Sequence, residues 1–168
     1  REIIPDLAVT TDVIVGFPGE SDSDFEKTME VVARAKYDSA YTFVFSPREG
    51  TEAAKMTDKF VDPAIVKERI TRLCALEKQD AIETHANRVG KIEELLVLGT
   101  SKHDPTMLSG RTSQNKLVHF HPEGKVIPEG SYVTSIVTKA ASHWLFGDLI
   151  DVISSPEVQR KLIPVAAI

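Results

Sequence analysis

The sequence predicts an α/β half followed by a small β-barrel. In the first half, strand patterns alternate with an amphipathic helix, and each strand ends in a glycine-bearing loop, as in parallel βαβ units. In the second half the period changes to short β-rich runs separated by Gly, Asp, Pro and Ser, as in a small barrel. The 168 residues, 42% of them hydrophobic, are enough to form both cores.

The first half predicts a strand, a helix and a second strand in succession. Residues 7–16 are predicted to form a strand, and Ser21 or Asp22 then supplies a helix N-cap. Apolar residues follow at helical spacing until about Lys36. Residues 40–45 are rich in β-formers and are closed by the sequence SPREG. We therefore expect a parallel sheet with a right-handed crossover.

A long helix and the barrel strands follow. Residues 63–88 are expected to be helical because Pro63 suits the first helical position and a broad apolar face follows it, made of Ile65, Val66, Ile70, Leu73, Leu76 and Ile82. The predicted strands of an antiparallel barrel are 94–98, 117–121, 132–137 and 144–146. Alternation directs Val118 and Phe120 to the core and His119 and His121 to the opposite face.

Charge and cysteine content narrow the function classes. The net charge is -5, and the acidic excess lies in the first half, which disfavours a polyanion partner there more than in the second half. The single cysteine, Cys74, excludes an internal disulfide and a cysteine cluster built by this chain alone. No apolar run is long enough for a membrane helix and the N-terminus lacks signal-peptide features, so we expect a cytoplasmic protein.

The loops after the two predicted strands form the candidate ligand site, because ligands of parallel α/β folds lie at the carboxyl ends of strands. Gly16 and Gly19 allow a close backbone approach, and Arg48 can bind a carboxylate or a phosphate. A tight structural turn explains VGFPGE equally well. Glu20 and Glu49 are expected to be helix caps or surface charges, and no catalytic residue is assigned.

Several segments carry a family resemblance. DVIVGFPGESDSDFEKTM from Asp12, FVFSPREGTEAAKM from Phe43 and VKERITRLCALE from Val66 together resemble the MiaB family of tRNA methylthiotransferases, within the radical S-adenosylmethionine enzymes. VGKIEELLVLGTSKHDPTMLSGRTSQNKLVHF from Val89 is similar to the TRAM domain, an OB-like RNA-binding barrel that ends that family's proteins. The resemblance covers residues 8–153.

The resemblance implies the domain organisation. Residues 1–84 would be the C-terminal part of the radical S-adenosylmethionine domain, a partial TIM barrel, with a linker helix. Residues 85–153 would be the TRAM domain, and residues 154–168 a poorly ordered tail. The missing N-terminal part of the same polypeptide would hold the cluster-binding cysteines, so we expect this chain to be inactive by itself.

The resemblance also implies a reaction and its cofactors. The whole enzyme would methylthiolate C2 of an isopentenylated adenosine beside the tRNA anticodon, using S-adenosylmethionine and two 4Fe-4S clusters, and would bind the tRNA anticodon stem-loop. The residues implied at the S-adenosylmethionine site are Val15, Gly16, Phe17, Ser46, Pro47 and Arg48. Those implied at the RNA surface are Arg111, Thr112, Asn115, Lys116 and His119. No metal ligand is assigned to this chain.

Two other functions fit the same sequence. The first is that of the sister RimO family, which modifies an aspartate of a ribosomal protein. The second is that of a non-catalytic RNA-binding module, and GRTSQNK can also be a merely solvated hairpin. The GRTSQNKLVHF and SPREGT segments resemble the tRNA enzymes more than the ribosomal-protein enzymes.

Overall fold

The structure, a computed structural model, describes residues 2–156, which divide into two compact units. The α/β unit comprises the described residues up to Val89 together with Ala140–Trp144. The barrel unit comprises Gly90–Lys139 and the described residues from Leu145 onward. The poorly ordered tail predicted for residues 154–168 lies outside the described residues from position 157 onward.

The α/β unit contains two parallel strands and two main helices. In chain order its elements are β1 (Thr10–Val15), α1 (Asp22–Ala35), β2 (Ser39–Val44), α2 (Glu52–Lys55), a 3-10 turn (Thr57–Lys59) and α3 (Pro63–Ala86). Strands β1 and β2 pair in parallel, in a register that runs from Thr10 opposite Ser39 to Val15 opposite Val44. The predicted parallel sheet is therefore confirmed.

Local sequence determines where the helices begin. Ser21 is the N-cap of α1: its hydroxyl accepts from the Asp24 backbone N–H, and the Asp24 carboxylate accepts from the Ser21 backbone N–H, forming a capping box. Asp62 caps α3, and Pro63 occupies its first turn. These signals are local, so the sequence alone predicts both helix starts.

The core of the α/β unit lies on one face of the sheet. It consists of Val15, Phe25, Val32, Val66 and Leu73, which come from β1, α1 and α3. The face predicted for α3 is partly wrong, because Ile65 and Ile82 are exposed while Arg69 is buried between Val66 and Leu73. On the opposite sheet face, Ile14, Tyr41 and Phe43 are about half exposed or more.

The barrel unit is a closed five-stranded barrel. Its strands are β3 (Ile92–Thr100), β4 (Leu108–Arg111), β5 (Leu117–His121), β6 (Tyr132–Ala140) and β7 (Leu145–Ser154), in the spatial order β3-β4-β5-β7-β6. The core is lined by side chains such as Leu95, Val97, Val118, Phe120 and Val133. The predicted strand 117–121 is confirmed residue for residue, whereas β4 was not predicted as a separate strand.

The expectation of a purely antiparallel barrel is wrong, because β5 and β7 pair in parallel. The reason is geometric. Five strands in a closed ring cannot alternate in direction all the way round, so at least one neighbouring pair must be parallel. Here β3 is antiparallel to both β4 and β6, and β4 is antiparallel to β5, which leaves the parallel pair at β5 and β7.

Within residues 2–156, no helix combines the length and apolar character that crossing a membrane requires.

Candidate functional site

A buried ion pair holds the loop that follows β1. The Glu20 carboxylate accepts a hydrogen bond from the Gly16 backbone N–H at 2.8 Å and from the Arg69 guanidinium at 2.8 Å. The same guanidinium bonds Asp22 at 2.6 Å and the Glu20 carbonyl at 3.1 Å. The Arg69 side chain is 3% exposed and that of Glu20 10%. Glu20 is therefore a buried clamp of the loop, and the expectation of a cap or a surface charge is wrong.

Gly16 is required by packing as well as by backbone conformation. Its φ is +78°, and a Cβ at this position would lie 2.6 Å from Cγ2 of Val66 on α3. Gly19 has a φ of +86°, and its N–H donates to the Lys59 carbonyl at 2.8 Å. The two glycines therefore fix the path of the loop against α3 and the 3-10 turn.

Two cavities adjoin this loop on opposite sides of β2. The first, here called the helix-side cavity, has a volume of about 320 Å³ and is almost entirely apolar. It is lined by Gly16, Val44, Phe45, Pro47, Phe60, Val61, Pro63, Val66, Lys67 and Ile70. Phe45 stands between Phe17 and Phe60, with ring centroids 5.3 and 5.9 Å away.

The second, here called the sheet-face cavity, lies on the open face of the sheet and has a volume of about 590 Å³. Its lining is Asp12, Ile14, Phe17, Phe43, Val44, Phe45, Ser46, Arg48, Thr51 and Ala53. It therefore combines an apolar floor with one carboxylate and one guanidinium. Cavities of this size and composition suit a small polar ligand with an apolar or aromatic part.

The six residues implied for the S-adenosylmethionine site are divided among three environments. Phe17, Ser46 and Arg48 line the sheet-face cavity, and Gly16 and Pro47 line the helix-side cavity. The Val15 side chain is fully buried in the core.

Sequence reasoning missed other residues of the sheet-face cavity, notably Asp12, Ile14 and Phe43. Asp12 and Ile14 alternate with the core-facing Val13 and Val15, and Phe43 lies opposite Ile14 in the neighbouring strand. The alternation was present in the sequence and could have identified the open face. The sequence-based prediction considered the loops after the strands and did not consider the open face of the strands themselves.

The donor set of the sheet-face cavity fits S-adenosylmethionine. Arg48 offers a fork of donors for a carboxylate, and Phe17 and Phe43 offer aromatic surface for an adenine. The residues of this chain do not fit a 4Fe-4S cluster, which needs several thiolates, because Cys74 is the one cysteine. Within residues 2–156, no three His, Cys, Asp or Glu side chains are placed to hold a metal ion.

The hairpin between β4 and β5 uses its polar residues to close the turn. The Arg111 guanidinium donates to the Asn115 carbonyl at 2.7 Å, and Asn115 has a φ of +60°. The Thr112 hydroxyl accepts from the Lys116 backbone N–H at 3.1 Å. Thr112 and Lys116 are 5% exposed, so the expectation that Lys116 lies on the hairpin surface is wrong. Arg111 and Asn115 retain exposed surface.

His119 is also buried rather than exposed. Its Nδ1 lies 3.0 Å from the Ser109 hydroxyl, and its ring centroid lies 6.0 Å from that of Phe146. Burial lowers the pKa of His119, and the nearby His103 lowers it further. The Lys139 ammonium lies over the Phe146 ring, 5.9 Å from its centroid. Phe146 therefore presents a partly exposed ring beside a cation.

Comparison with known proteins identifies related sequences. The chain is 44% identical over 153 residues to a tRNA-2-methylthio-N(6)-dimethylallyladenosine synthase of Thermoanaerobacter sp. (strain X514), covering 91% of this chain and 32% of that protein. Synthases with the same name are 47% identical over 149 residues in Geobacillus thermodenitrificans (89% and 28%) and 46% identical over 150 residues in Corynebacterium jeikeium (88% and 29%).

The matched segment is the C-terminal part of these relatives. The chain spans about a third of the length of the curated relatives it matches. No protein-family model matches the chain.

Proposed function

We propose, because the chain is related to the MiaB family over 91% of its length, that it forms the C-terminal part of a radical S-adenosylmethionine enzyme that methylthiolates tRNA. The observation that carries this proposal is the identity of 44–47% to three synthases of that name. The names of these relatives favour a tRNA substrate over the ribosomal-protein substrate of the RimO family.

In this proposal the α/β unit supplies the last strands of a partial TIM barrel. The open face of β1 and β2 would be the inner wall of that barrel, which explains why it carries exposed Ile14, Tyr41 and Phe43. Such a face is costly in water and becomes favourable once the rest of the barrel and its ligand cover it.

The sheet-face cavity would bind S-adenosylmethionine, whose reductive cleavage supplies the radical that activates C2 of the isopentenylated adenosine. Arg48 would bind the amino-acid carboxylate of the cofactor, and Ser46 would donate a hydrogen bond. Phe17 and Phe43 would pack against its nucleoside part and exclude water. Arg69 and Glu20 would act at a distance, by fixing the loop on which Phe17 lies.

The barrel unit would bind tRNA at the anticodon stem-loop. On the barrel exterior, Arg111 and the partly exposed ring of Phe146 belong to neighbouring rows of the β4-β5-β7 surface, because Ser109 pairs with His119 and His119 with Phe146. Arg111 would contact phosphate, and Phe146 beside Lys139 would stack on an unpaired base.

A chimeric enzyme tests the proposed function. The chain would replace the corresponding C-terminal part of the Thermoanaerobacter synthase, and the modified tRNA nucleosides would be measured by mass spectrometry. We expect the 2-methylthio derivative of the isopentenylated adenosine. A chimera that is soluble and carries both clusters, yet leaves tRNA unmodified while the parent synthase modifies it, would contradict the proposal.

A further inference from the structure

The helix-side cavity combines an apolar lining with a single charged group. One part of its lining is a stripe of α3 spaced at i, i+3, i+4 and i+7, formed by Pro63, Val66, Lys67 and Ile70. Apolar residues at the end of β2 and in the segment before α3 supply most of the rest. Among the described residues that line the cavity, Lys67 alone carries a charge. The cavity therefore offers one cation beside an apolar surface.

The apolar surface of this cavity is open to water. Phe60 is 41% exposed, and Val61 and Ile70 are half-buried. Covering such a surface with an apolar group is favourable, because it removes hydrocarbon from water. The volume of about 320 Å³ lies near the lower end of the range of small-molecule pockets, which is about 300–1,000 Å³. The cavity therefore suits a small apolar group.

The ammonium group of Lys67 is available to a ligand. Within residues 2–156 it forms no ion pair or hydrogen bond, whereas Arg72 of the same helix pairs with Glu26 and Glu68. The Asp62 carboxylate, one turn before Lys67, is engaged in capping α3. Lys67 is exposed although it lines the cavity, so its aliphatic stem contacts the apolar lining while its ammonium group meets water.

We propose that the helix-side cavity is a binding site for a small apolar carboxylate, whose hydrocarbon part packs against Phe45, Phe60 and Val66 and whose charge pairs with Lys67. A neutral apolar ligand would leave the cation unused, and a cationic one would be repelled by it. One ammonium group balances the single charge of a carboxylate. This inference concerns a cavity other than the one proposed for S-adenosylmethionine and does not depend on that proposal.

The two cavities share a wall but can be observed separately. Val44 and Phe45 line both of them, and the Phe45 backbone N–H donates to the Val15 carbonyl at 2.8 Å, which fixes the end of β2 against β1. Ile70 lines the helix-side cavity alone, and Ile14 lines the sheet-face cavity alone. The methyl groups of these two isoleucines therefore report which cavity a ligand enters.

Nuclear magnetic resonance of the chain with labelled isoleucine methyl groups tests the proposal. The probes are hexanoate and hexanamide at millimolar concentrations, which have the same carbon chain and differ in charge. We expect both probes to shift the Ile70 signal and to leave the Ile14 signal in place. Hexanoate should bind about threefold more tightly than hexanamide, as an exposed ion pair allows, and added salt should reduce this preference.

Lys67→Met removes the charge and keeps an apolar stem, so it should weaken hexanoate about threefold and leave hexanamide unchanged. Lys78→Met is the matched control, because Lys78 is exposed further along α3 and does not line the cavity. It should change neither affinity.

Three results would refute the proposal. The first is an Ile70 signal that responds to neither probe, or an Ile14 signal that responds to hexanoate in its place. The second is equal affinity of the parent for hexanoate and hexanamide. The third is a Lys67→Met variant that keeps the full preference for hexanoate.

The chimeric enzyme shows whether another part of the polypeptide covers the cavity. Saturation transfer from the chimera to hexanoate should be measurable, and it should be weaker from the chimera that carries Lys67→Met. Equal transfer from both would mean that a segment outside this chain occupies the cavity, and the proposal of a carboxylate site would then be refuted.

Discussion

The guanidinium of Arg69 on α3 lies 2.8 Å from the carboxylate of Glu20, in the loop after β1, and both side chains are buried. Burial by itself would lower the pKa of Arg69, but its hydrogen bonds to Asp22 and Glu20 raise the pKa above its ordinary value. Because the same Glu20 oxygen also accepts from the Gly16 N–H, the pair connects α3 to the loop beside both cavities.

Removing Arg69 should therefore destabilise the α/β unit. We expect Arg69→Met to lower the free energy of unfolding by about 3 kcal/mol, because it leaves the Glu20 carboxylate buried without its cation. Urea denaturation followed by helical circular dichroism measures the change.

Arg72→Met is the matched control, since Arg72 lies one turn away on the same helix and pairs with exposed Glu26 and Glu68. Its loss should cost less than about 1 kcal/mol. The double variant Arg69→Met with Glu20→Gln should be less destabilised than the sum of the single changes. Equal effects of Arg69→Met and Arg72→Met would contradict the buried-clamp interpretation.

Gly16→Ala should destabilise the same unit more than Gly19→Ala. Both residues have positive φ, so each alanine costs about 1 kcal/mol in backbone strain. The new Cβ at position 16 would also collide with Val66, whereas the nearest atom at position 19 is 4.0 Å away, at the end of the Lys59 side chain. Adding Val66→Ala should recover part of the loss at position 16, although the core then loses a valine. Thermal melting of the parent and these three variants gives the comparison.

Stability should also depend on Asp80, near the C-terminal end of α3. Burial raises the pKa of Asp80 above 3.8, with Lys36 lowering it and Glu83 raising it. The folded state therefore binds more protons than the unfolded state between the ordinary and the raised pKa, so this group costs stability as pH rises through that interval. We expect Asp80→Asn to stabilise the α/β unit at neutral pH and to have little effect in acid.

Asp24→Asn is the control, because Asp24 should contribute a pH dependence of stability opposite in sign to that of Asp80. Hydrogen bonds from Ser21 lower the pKa of Asp24, so its carboxylate stabilises the folded state above the ordinary pKa and ceases to do so as pH falls through the lowered one. The variant should therefore be destabilised at neutral pH and approach the parent in acid. Urea unfolding at several pH values measures both variants, and parallel pH profiles for the two would refute the assignment of Asp80.

Local signals predicted much of this fold, and long-range contacts account for most of what they missed. The N-cap at Ser21 or Asp22 and the strand 117–121 were predicted from neighbouring residues, and the structure confirms the strand and places the N-cap at Ser21. Arg69 was not singled out from the sequence, because its partner Glu20 lies 49 residues away in the chain. Strand β4 is short and contains Ser109 and Gly110, so it gains its strand character only from pairing with β3 and β5.

In the candidate sites, too, some residues could be predicted from the sequence and others depend on contacts between distant parts of the chain. The family resemblance implied the loop residues Phe17, Ser46 and Arg48, and the sheet-face cavity contains all three. Lys116 was expected on a surface because its neighbours in sequence are polar, yet it is buried. Composition of a hairpin indicates its polarity but not which of its side chains the rest of the barrel covers.

Anaerobic treatment of the chain with iron and sulfide should yield no stoichiometric 4Fe-4S cluster, because one thiolate cannot hold it. Without a cluster, incubation with S-adenosylmethionine and a reductant should give no 5′-deoxyadenosine. Absorbance and chromatography measure these outcomes, with a full-length relative as the positive control. Stoichiometric 5′-deoxyadenosine from this chain would refute the expected inactivity.

Binding of an anticodon stem-loop to the chain should weaken with salt, with a logarithmic slope of about -2 to -4 if a few cations contact phosphates at 0.7 to 0.9 per contact. Arg111→Ala should flatten the slope by about one contact and lower affinity equally for any loop sequence, because phosphate contacts do not read bases. Phe146→Leu should instead lower affinity with the slope unchanged, since stacking releases no counterions.

Lys116 is unsuitable for this test, because replacing a buried residue disturbs the hairpin. Lys125→Ala, in the exposed loop after β5, is the matched charge control and should leave the slope as it is. Identical slopes for the parent, Arg111→Ala and Lys125→Ala would show that RNA does not contact the β4-β5 hairpin.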